Sequence, residues 1–203
     1  MDQERRQWEE HYRTGPTPWD TRITPPEVVQ FWQAHPPPPG GLALDLGCGT
    51  ATNVAYLAGL GLRVVGFDLA GNALASGRHR LLAGDPQLLS RIQLVHADIT
   101  CLPVRQAMAC YILDIGCLHG IPFERRAAYV QGVVDNLAPG GFYQLFGFDL
   151  LPPEQRPAGK PPRGLAAGEV AERFAPALTV VDQLEGNPER QPCHWYLLQK
   201  TLF

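Results

Sequence analysis

The sequence has no apolar run approaching the ~18 residues of a membrane-crossing helix, so none is expected. It has no basic surplus: 17 Lys and Arg against 20 Asp and Glu give a net charge of -3. Without that surplus little is available to neutralise phosphates, and nucleic acid is not expected as the main partner. The opening stretch MDQERRQWEEHYRTG has no apolar core of the kind a secretory leader carries, so it reads as an amphipathic segment of a cytoplasmic protein. No CxxC pair occurs. The five cysteines, at 48, 101, 110, 117 and 193, are odd in number and irregular in spacing. Reduced thiols fit this better than disulfides or zinc, and no metal site is expected. No internal repeat is visible.

What is present is an ordinary globular composition, 45% hydrophobic and 18% charged, on 203 residues. That length suits one α/β domain. Proline is plentiful, at 20 residues. It clusters at Pro36–Pro39 and Pro152–Pro162, where it interrupts helices and strands and marks connections, the second a candidate mobile loop.

Apolar periodicity predicts helices over 2–13 and Pro25–Ala34, then a strand, Leu42–Leu46. Helix and strand alternate after it: Ala51–Gly59, Arg63–Phe67, Ala70–Leu82 and Ile92–His96. The series continues with Ala109–Ile115, Phe123–Leu137 and Phe142–Phe148. A short helix at Gly168–Phe174 precedes two strands, Leu178–Leu184 and His194–Lys200, joined through the turn-rich Glu185–Pro192. Such alternation implies a Rossmann-like, doubly wound, mostly parallel sheet in a three-layer α/β/α arrangement, with an antiparallel edge made by the last strands. The expected division is an N-terminal helical lid over 1–41, a binding core over 42–148, and a substrate loop, short helix and closing strands over 149–203. In open sheets of this kind ligands bind beyond the carboxyl ends of the strands.

Every candidate functional residue falls at one of those ends. Asp45-Leu46-Gly47-Cys48-Gly49-Thr50-Ala51 closes the first strand in an acid and a Gly-x-Gly turn. Gly47 and Gly49 let a ligand lie on the backbone, and the helix that follows presents N–H groups to a carboxylate. The ligand this suits carries both a carboxylate and an amine, with Asp45 orienting the loop or a water near the amine. Alone, the same sequence also fits a generic strand–turn–helix corner. Asp68, followed by Leu69, ends the second strand about 20 residues later, where an acid accepts bonds from ribose hydroxyls. It is also placed to cap the next helix. Asp98 and Ile99 follow the third strand and suit an adenine amine and ring nitrogen, or an ordinary turn. Asp114 stands at the end of the fourth strand and His119 just beyond it, and they are the nearby polar groups able to steer or deprotonate an acceptor. Leu137-Ala138-Pro139-Gly140-Gly141 reads as a helix stop and turn.

Taken in order and spacing, Asp45–Gly49, Asp68, Asp98 and Leu137–Gly141 resemble the class I S-adenosylmethionine-dependent methyltransferase superfamily over about residues 42–148. The resemblance implies that Gly47, Cys48 and Gly49 cradle the methionine part of S-adenosyl-L-methionine. It further implies that Asp68 binds ribose and that Asp98 with Ile99 contacts adenine. Ala51 departs from the usual glycine, and its methyl group either sits inside the helix or crowds the ligand. Trp8, Tyr12, Gly15, Pro18 and Trp19 resemble the narrower thiopurine and tellurite-resistance-like small-molecule methyltransferases. This implies a lid in which Trp19 and Tyr12 face the sulfonium, with Asp20 and Arg22 as anchors; the alternative is that these aromatics pack a helix on the sheet. No Asn/Asp-Pro-Pro-Tyr/Phe sequence occurs after the fourth strand, which disfavours that route of amine methylation. The acceptor expected is a small molecule such as a thiol, metalloid or carboxylate, methylated mainly through proximity and orientation. Two competing readings are an inactive binder of the same fold and a nicotinamide-dependent oxidoreductase. The second lacks its third loop glycine, because Thr52 stands there, and lacks a Tyr-x3-Lys pair.

Overall fold

A computed structural model describes residues 2–104, 106, 108–156, 159, 162–187 and 191–202. The chain packs as two compact units, Met1–Pro103 and Val104–Phe203.

In the first unit, α1 (Asp2–Thr14) and α2 (Pro26–Ala34) precede β1 (Leu42–Leu46), α3 (Thr52–Gly59), β2 (Arg63–Asp68), α4 (Gly71–Ala83) and β3 (Ile92–His96). A short 3-10 turn, Pro86–Arg91, leads into β3; Asp85 opens it by accepting the Gln87 N–H at 3.0 Å. The strands are parallel in the order β3-β2-β1. Ala43 to Leu46 are all buried, as expected for a parallel strand covered on both faces. In register, Leu46 lies opposite Phe67 and Asp68 opposite His96. The Gly-rich turn, Asp68 and the segment after His96 therefore share one edge of this sheet.

Helix α3 starts at Thr52 and not at Ala51, which has φ +63° and sits at the N-cap. The expectation that Ala51 lies inside the helix is corrected. It occupies a left-handed corner, and its methyl is fully buried. A Cβ at Gly77 of α4 would come within 3.0 Å of the Ala51 Cβ and 2.9 Å of the Thr50 carbonyl. Glycine at 77 is thus what makes room for this corner.

The second unit contains β4 (Ala109–Ile115), α5 (Arg126–Asn136), β5 (Leu137–Phe148), α6 (Glu169–Phe174), β6 (Leu178–Glu185) and β7 (Cys193–Lys200). The strand order is β4-β5-β7-β6. β5 runs parallel to β4 and antiparallel to β7, and β7 pairs antiparallel with β6. The expected antiparallel edge is present. Tyr111, Ile112, Leu113, Tyr129, Tyr143 and Phe174 form the interior.

Two details differ from expectation. The helix over Phe123–Leu137 begins as a 3-10 turn, Phe123–Arg125, and ends at Asn136. Leu137–Gly141 is not a turn before a strand but the irregular start of β5. Ala109 pairs with Leu137 and Tyr111 already with Phe142, so the extra residues bulge. Gly140 takes φ +75°, and a Cβ at Gly141 would meet the Ala138 and Ala109 carbonyls at 2.9 and 3.0 Å. Within the Pro152–Pro162 loop, Pro157, Ala158, Lys160 and Pro161 lie outside the described residues, as do Pro188, Glu189 and Arg190 of Glu185–Pro192. No helix among the described residues is long and apolar enough to cross a membrane.

Candidate active site

The Gly-rich turn is built by backbone bonds. The N–H groups of Gly47 and Cys48 both donate to the Phe67 carbonyl, at 2.8 and 2.9 Å, and the Ala51 N–H returns to the Cys48 carbonyl at 2.9 Å. Gly47 and Gly49 take φ +72° and +53°, where a side chain is strained. A Cβ at Gly49 would also lie 2.9 Å from the Tyr12 hydroxyl. The Cys48 side chain turns inward: a Cβ at Gly66 would meet its Sγ at 2.8 Å. Burial, with Asp45 and Asp68 adding to it, pushes the Cys48 thiol well above its ordinary range. The Cys48 thiol is therefore an inert core group. Asp45 is 2% exposed beneath the turn. The first turn of α3 has no side-chain cap, which leaves it suited to a carboxylate from outside the chain.

Asp68 closes the turn against the next helix. One carboxylate oxygen accepts the Gly49 N–H at 2.8 Å and the other the Ala70 N–H at 2.7 Å. Burial nevertheless holds its pKa above the usual carboxylate range. The capping role open in the sequence is divided: Asp68 takes Ala70, and Glu9 of α1 takes the next two donors, Gly71 and Asn72, at 2.8 and 3.0 Å. The Asn72 side chain answers by donating to the Glu9 carbonyl at 3.3 Å. Glu9 was not legible as functional in the sequence, where it is one acid among several on a polar helix. A carboxylate still has lone pairs beyond one bond per oxygen, so Asp68 retains capacity for ribose hydroxyls.

Asp98 forms a turn: its Oδ1 accepts the Thr100 N–H and hydroxyl at 2.9 and 2.8 Å. Asp98, Ile99 and Leu69 are all partly exposed. His96 holds the Leu69 carbonyl at 2.9 Å and so fixes the path between Asp68 and α4.

The aromatic segment packs on itself and on the Gly-rich turn. The Trp19 indole N–H donates to the Tyr12 hydroxyl at 3.0 Å, and Trp19 stands edge-on to Trp8 and His11 with ring centroids 5.5 Å apart. Trp19 is 46% exposed and rests against the rings of α1. The expected anchor at Asp20 is present: it accepts the Thr50 hydroxyl at 2.8 Å, and Arg80 donates to Thr50 and Thr52. Arg22 is exposed, at φ +57°.

In the second unit Asp114 is fully buried. It accepts the N–H groups of Cys117 and Leu118 at 2.6 and 3.0 Å and the Tyr129 hydroxyl at 2.5 Å. Burial raises its pKa to about 6 in spite of those bonds. Its oxygens accept these bonds inside the core, on the turn that carries His119. His119 lies edge-on to Phe148 at 5.0 Å. Burial, reinforced by Arg126 and Arg163, lowers its pKa to about 4, so the ring is neutral at physiological pH. Its Nδ1 is buried without a hydrogen-bond partner among the described residues. The backbone of His119 is held from two sides, its carbonyl accepting from Arg126 at 3.1 Å and from the Gly164 N–H at 2.9 Å. Arg126, which sequence reasoning missed, is itself buried and pairs with Glu169 at 2.7 Å.

The fold is that of S-adenosylmethionine-dependent methyltransferases. The 1,6-didemethyltoxoflavin-N1-methyltransferase of Burkholderia thailandensis, solved with its substrate and S-adenosylhomocysteine, superposes with a TM-score of 0.77 at 22% identity, covering 97% of this chain and 87% of that one. TehB from Haemophilus influenzae superposes with a TM-score of 0.73 at 19% identity, covering 90% and 64%. Residues 3–193 match the family described as thiopurine S-methyltransferase (TPMT), and the chain belongs to that family. A thiopurine S-methyltransferase of Bordetella parapertussis is 28% identical over 179 residues, 83% of this chain and 80% of that protein. The 2-heptyl-1-hydroxyquinolin-4(1H)-one methyltransferase of Mycobacteroides abscessus is 30% identical over 142 residues, 68% of this chain but only 59% of the longer relative.

Proposed function

We propose that this chain methylates a small, planar heteroaromatic acceptor at an acidic heteroatom, using S-adenosylmethionine held by the first unit. When bound, that cofactor supplies an electrophilic methyl group on a sulfonium sulfur. The residues fit it. The backbone of Gly47, Cys48 and Gly49 and the uncapped start of α3 suit the methionine carboxylate, with Asp45 beneath the amine. Asp68 and Leu69 suit the ribose, Asp98 and Ile99 the adenine, and the Tyr12–Trp19 pair an aromatic cover for a cation.

The observation that carries the acceptor chemistry is His119, a neutral imidazole with a buried, unpartnered Nδ1 beside the Phe148 ring. A base of pKa about 4 lies more than four units below an alkyl thiol of pKa ~8.5. Full proton transfer from such a thiol to His119 would cost about 6 kcal/mol. His119 therefore suits an acceptor whose proton is already acidic, orienting it by a hydrogen bond and taking the proton as the new bond to carbon forms. The named substrates of the relatives, a thiopurine, a hydroxyquinolinone and a didemethyltoxoflavin, are heterocycles of this kind. Net charge -3 supports a small-molecule acceptor over nucleic acid.

The test is turnover with S-adenosylmethionine over paired heteroaromatic and alkyl thiols, with the methylated product read by mass. Transfer to heteroaromatic thiols and N-hydroxy heterocycles is expected. Transfer confined to alkyl thiols or metalloids contradicts the reading.

A further inference from the structure

Asp114 and His119 stand at opposite ends of one turn. β4 ends in Ile115, Gly116 turns with φ +91°, and Leu118–Gly120 forms a single 3-10 turn. A Cβ at Gly116 would lie 3.3 Å from the His119 Cε1, so the imidazole folds back over the turn's entrance. The turn has no cap of its own at Cys117, and Asp114 supplies one. We propose that ionised Asp114 is the positioning residue for the acceptor-handling histidine, fixing the Cys117–Gly120 turn through its two backbone N–H bonds. The proposal rests on the reading of His119 given above.

The groups facing Asp114 explain why its ionisation matters. Tyr129 from α5 donates to Oδ2 at 2.5 Å, Tyr143 from β5 approaches the same atom at 3.5 Å, and the Cys117 thiol bonds the carboxylate from the turn. Burial keeps both tyrosines protonated, far above their usual range, so they remain donors. Donors thus converge from three directions on one carboxylate. A proton added there brings one more hydrogen into a shell already full of them. The tyrosine hydroxyls can rotate to accept it, but the N–H groups of Cys117 and Leu118 cannot. Their bonds fall from charge-assisted to neutral strength, roughly half. His119 is faced by the cations Arg126 of α5 and Arg163, which oppose its own protonation. Asp114 near pH 6, and His119 only near pH 4, therefore set the fall of activity in acid.

The experiment is kcat against pH at saturating S-adenosylmethionine, with an acceptor that does not titrate in that window, for the wild type, Asp114→Asn, Tyr129→Phe and His119→Gln. The wild type is expected to lose rate through about pH 6. Asp114→Asn should lower kcat roughly tenfold with the cofactor KM unchanged, and should abolish that limb. Tyr129→Phe removes a bond that holds the carboxylate's pKa down, so its limb moves to higher pH. An Asp114→Asn enzyme with wild-type rate and an intact limb overturns the proposal. If that variant does not fold, a Tyr129→Phe limb left in place overturns it instead. His119→Gln separates the two readings: full activity in that variant overturns the acceptor role of His119 itself. An inactive His119→Gln beside an unaltered Asp114→Asn profile overturns only the positioning.

Discussion

Both units hold a buried acid on backbone N–H groups and raise its pKa by burial, but they differ in what else surrounds it. In Met1–Pro103, Asp68 and Glu9 are satisfied by backbone N–H groups at helix starts, the environment that suits a carboxylate. In Val104–Phe203, Asp114 and His119 are governed by burial, which pushes one pKa up to about 6 and the other down to about 4. The first unit is a frame that a ligand completes. The second holds a pair of ionisable groups whose pKa values burial shifts toward each other's range. Under the proposed function, cofactor affinity is assigned to the first unit and acceptor handling to the second.

The comparison breaks most visibly at His119. His119→Gln is expected to lower kcat by ~10²-fold or more, the usual scale of a lost proton acceptor, measured by steady-state methyl transfer with cofactor and acceptor saturating. Next in size is Asp68→Ala, which removes the bonds joining Gly49 to Ala70 and, with them, the proposed ribose contact. Affinity for S-adenosylhomocysteine, followed by titration calorimetry, should weaken by about 1–3 kcal/mol, and unchanged affinity would contradict the ribose role. Smallest is Glu9→Ala. Loss of a cap on α4 is worth about 1 kcal/mol, seen as a modest fall in denaturation midpoint and faster proteolysis within α1.

The pH dependence of stability sharpens the same contrast. Asp114 has a folded pKa raised from 3.8 to about 6, so its stabilising contribution is present below 3.8 and lost as pH rises through about 6. His119 is lowered from 6.5 to about 4, so its contribution is present above 6.5 and lost as pH falls through about 4. Each amounts to about 3 kcal/mol, and in the wild type they largely offset one another. Asp114→Asn therefore leaves a thermal midpoint that rises with pH across this window, although the same change slows the reaction.

The sequence showed the first unit well because its determinants are local. A strand ending in an acid, two glycines and a helix start lie within Asp45–Thr52, and Asp68 follows at a spacing that parallel strands dictate. Ala51 was misread because its departure from glycine is offset by Gly77, 26 residues on and visible only in three dimensions. Glu9 was missed for the same reason, since its partners Gly71 and Asn72 are brought near by packing. In the second unit Asp114 and His119 were singled out from their place at and just after the end of β4. Their roles were not separable, because the tyrosines that bury Asp114 come from α5 and β5. Leu137–Gly141 carries ordinary turn chemistry, and only pairing with Ala109 makes it the start of a strand.

The most direct test crosses the two units. S-adenosylhomocysteine affinity and the single-turnover rate at saturating S-adenosylmethionine are measured on both Asp68→Ala and His119→Gln. Weakened affinity with a near wild-type rate is expected for the first, and unchanged affinity with a collapsed rate for the second. A His119→Gln protein that loses cofactor affinity as severely as Asp68→Ala would contradict the division of labour.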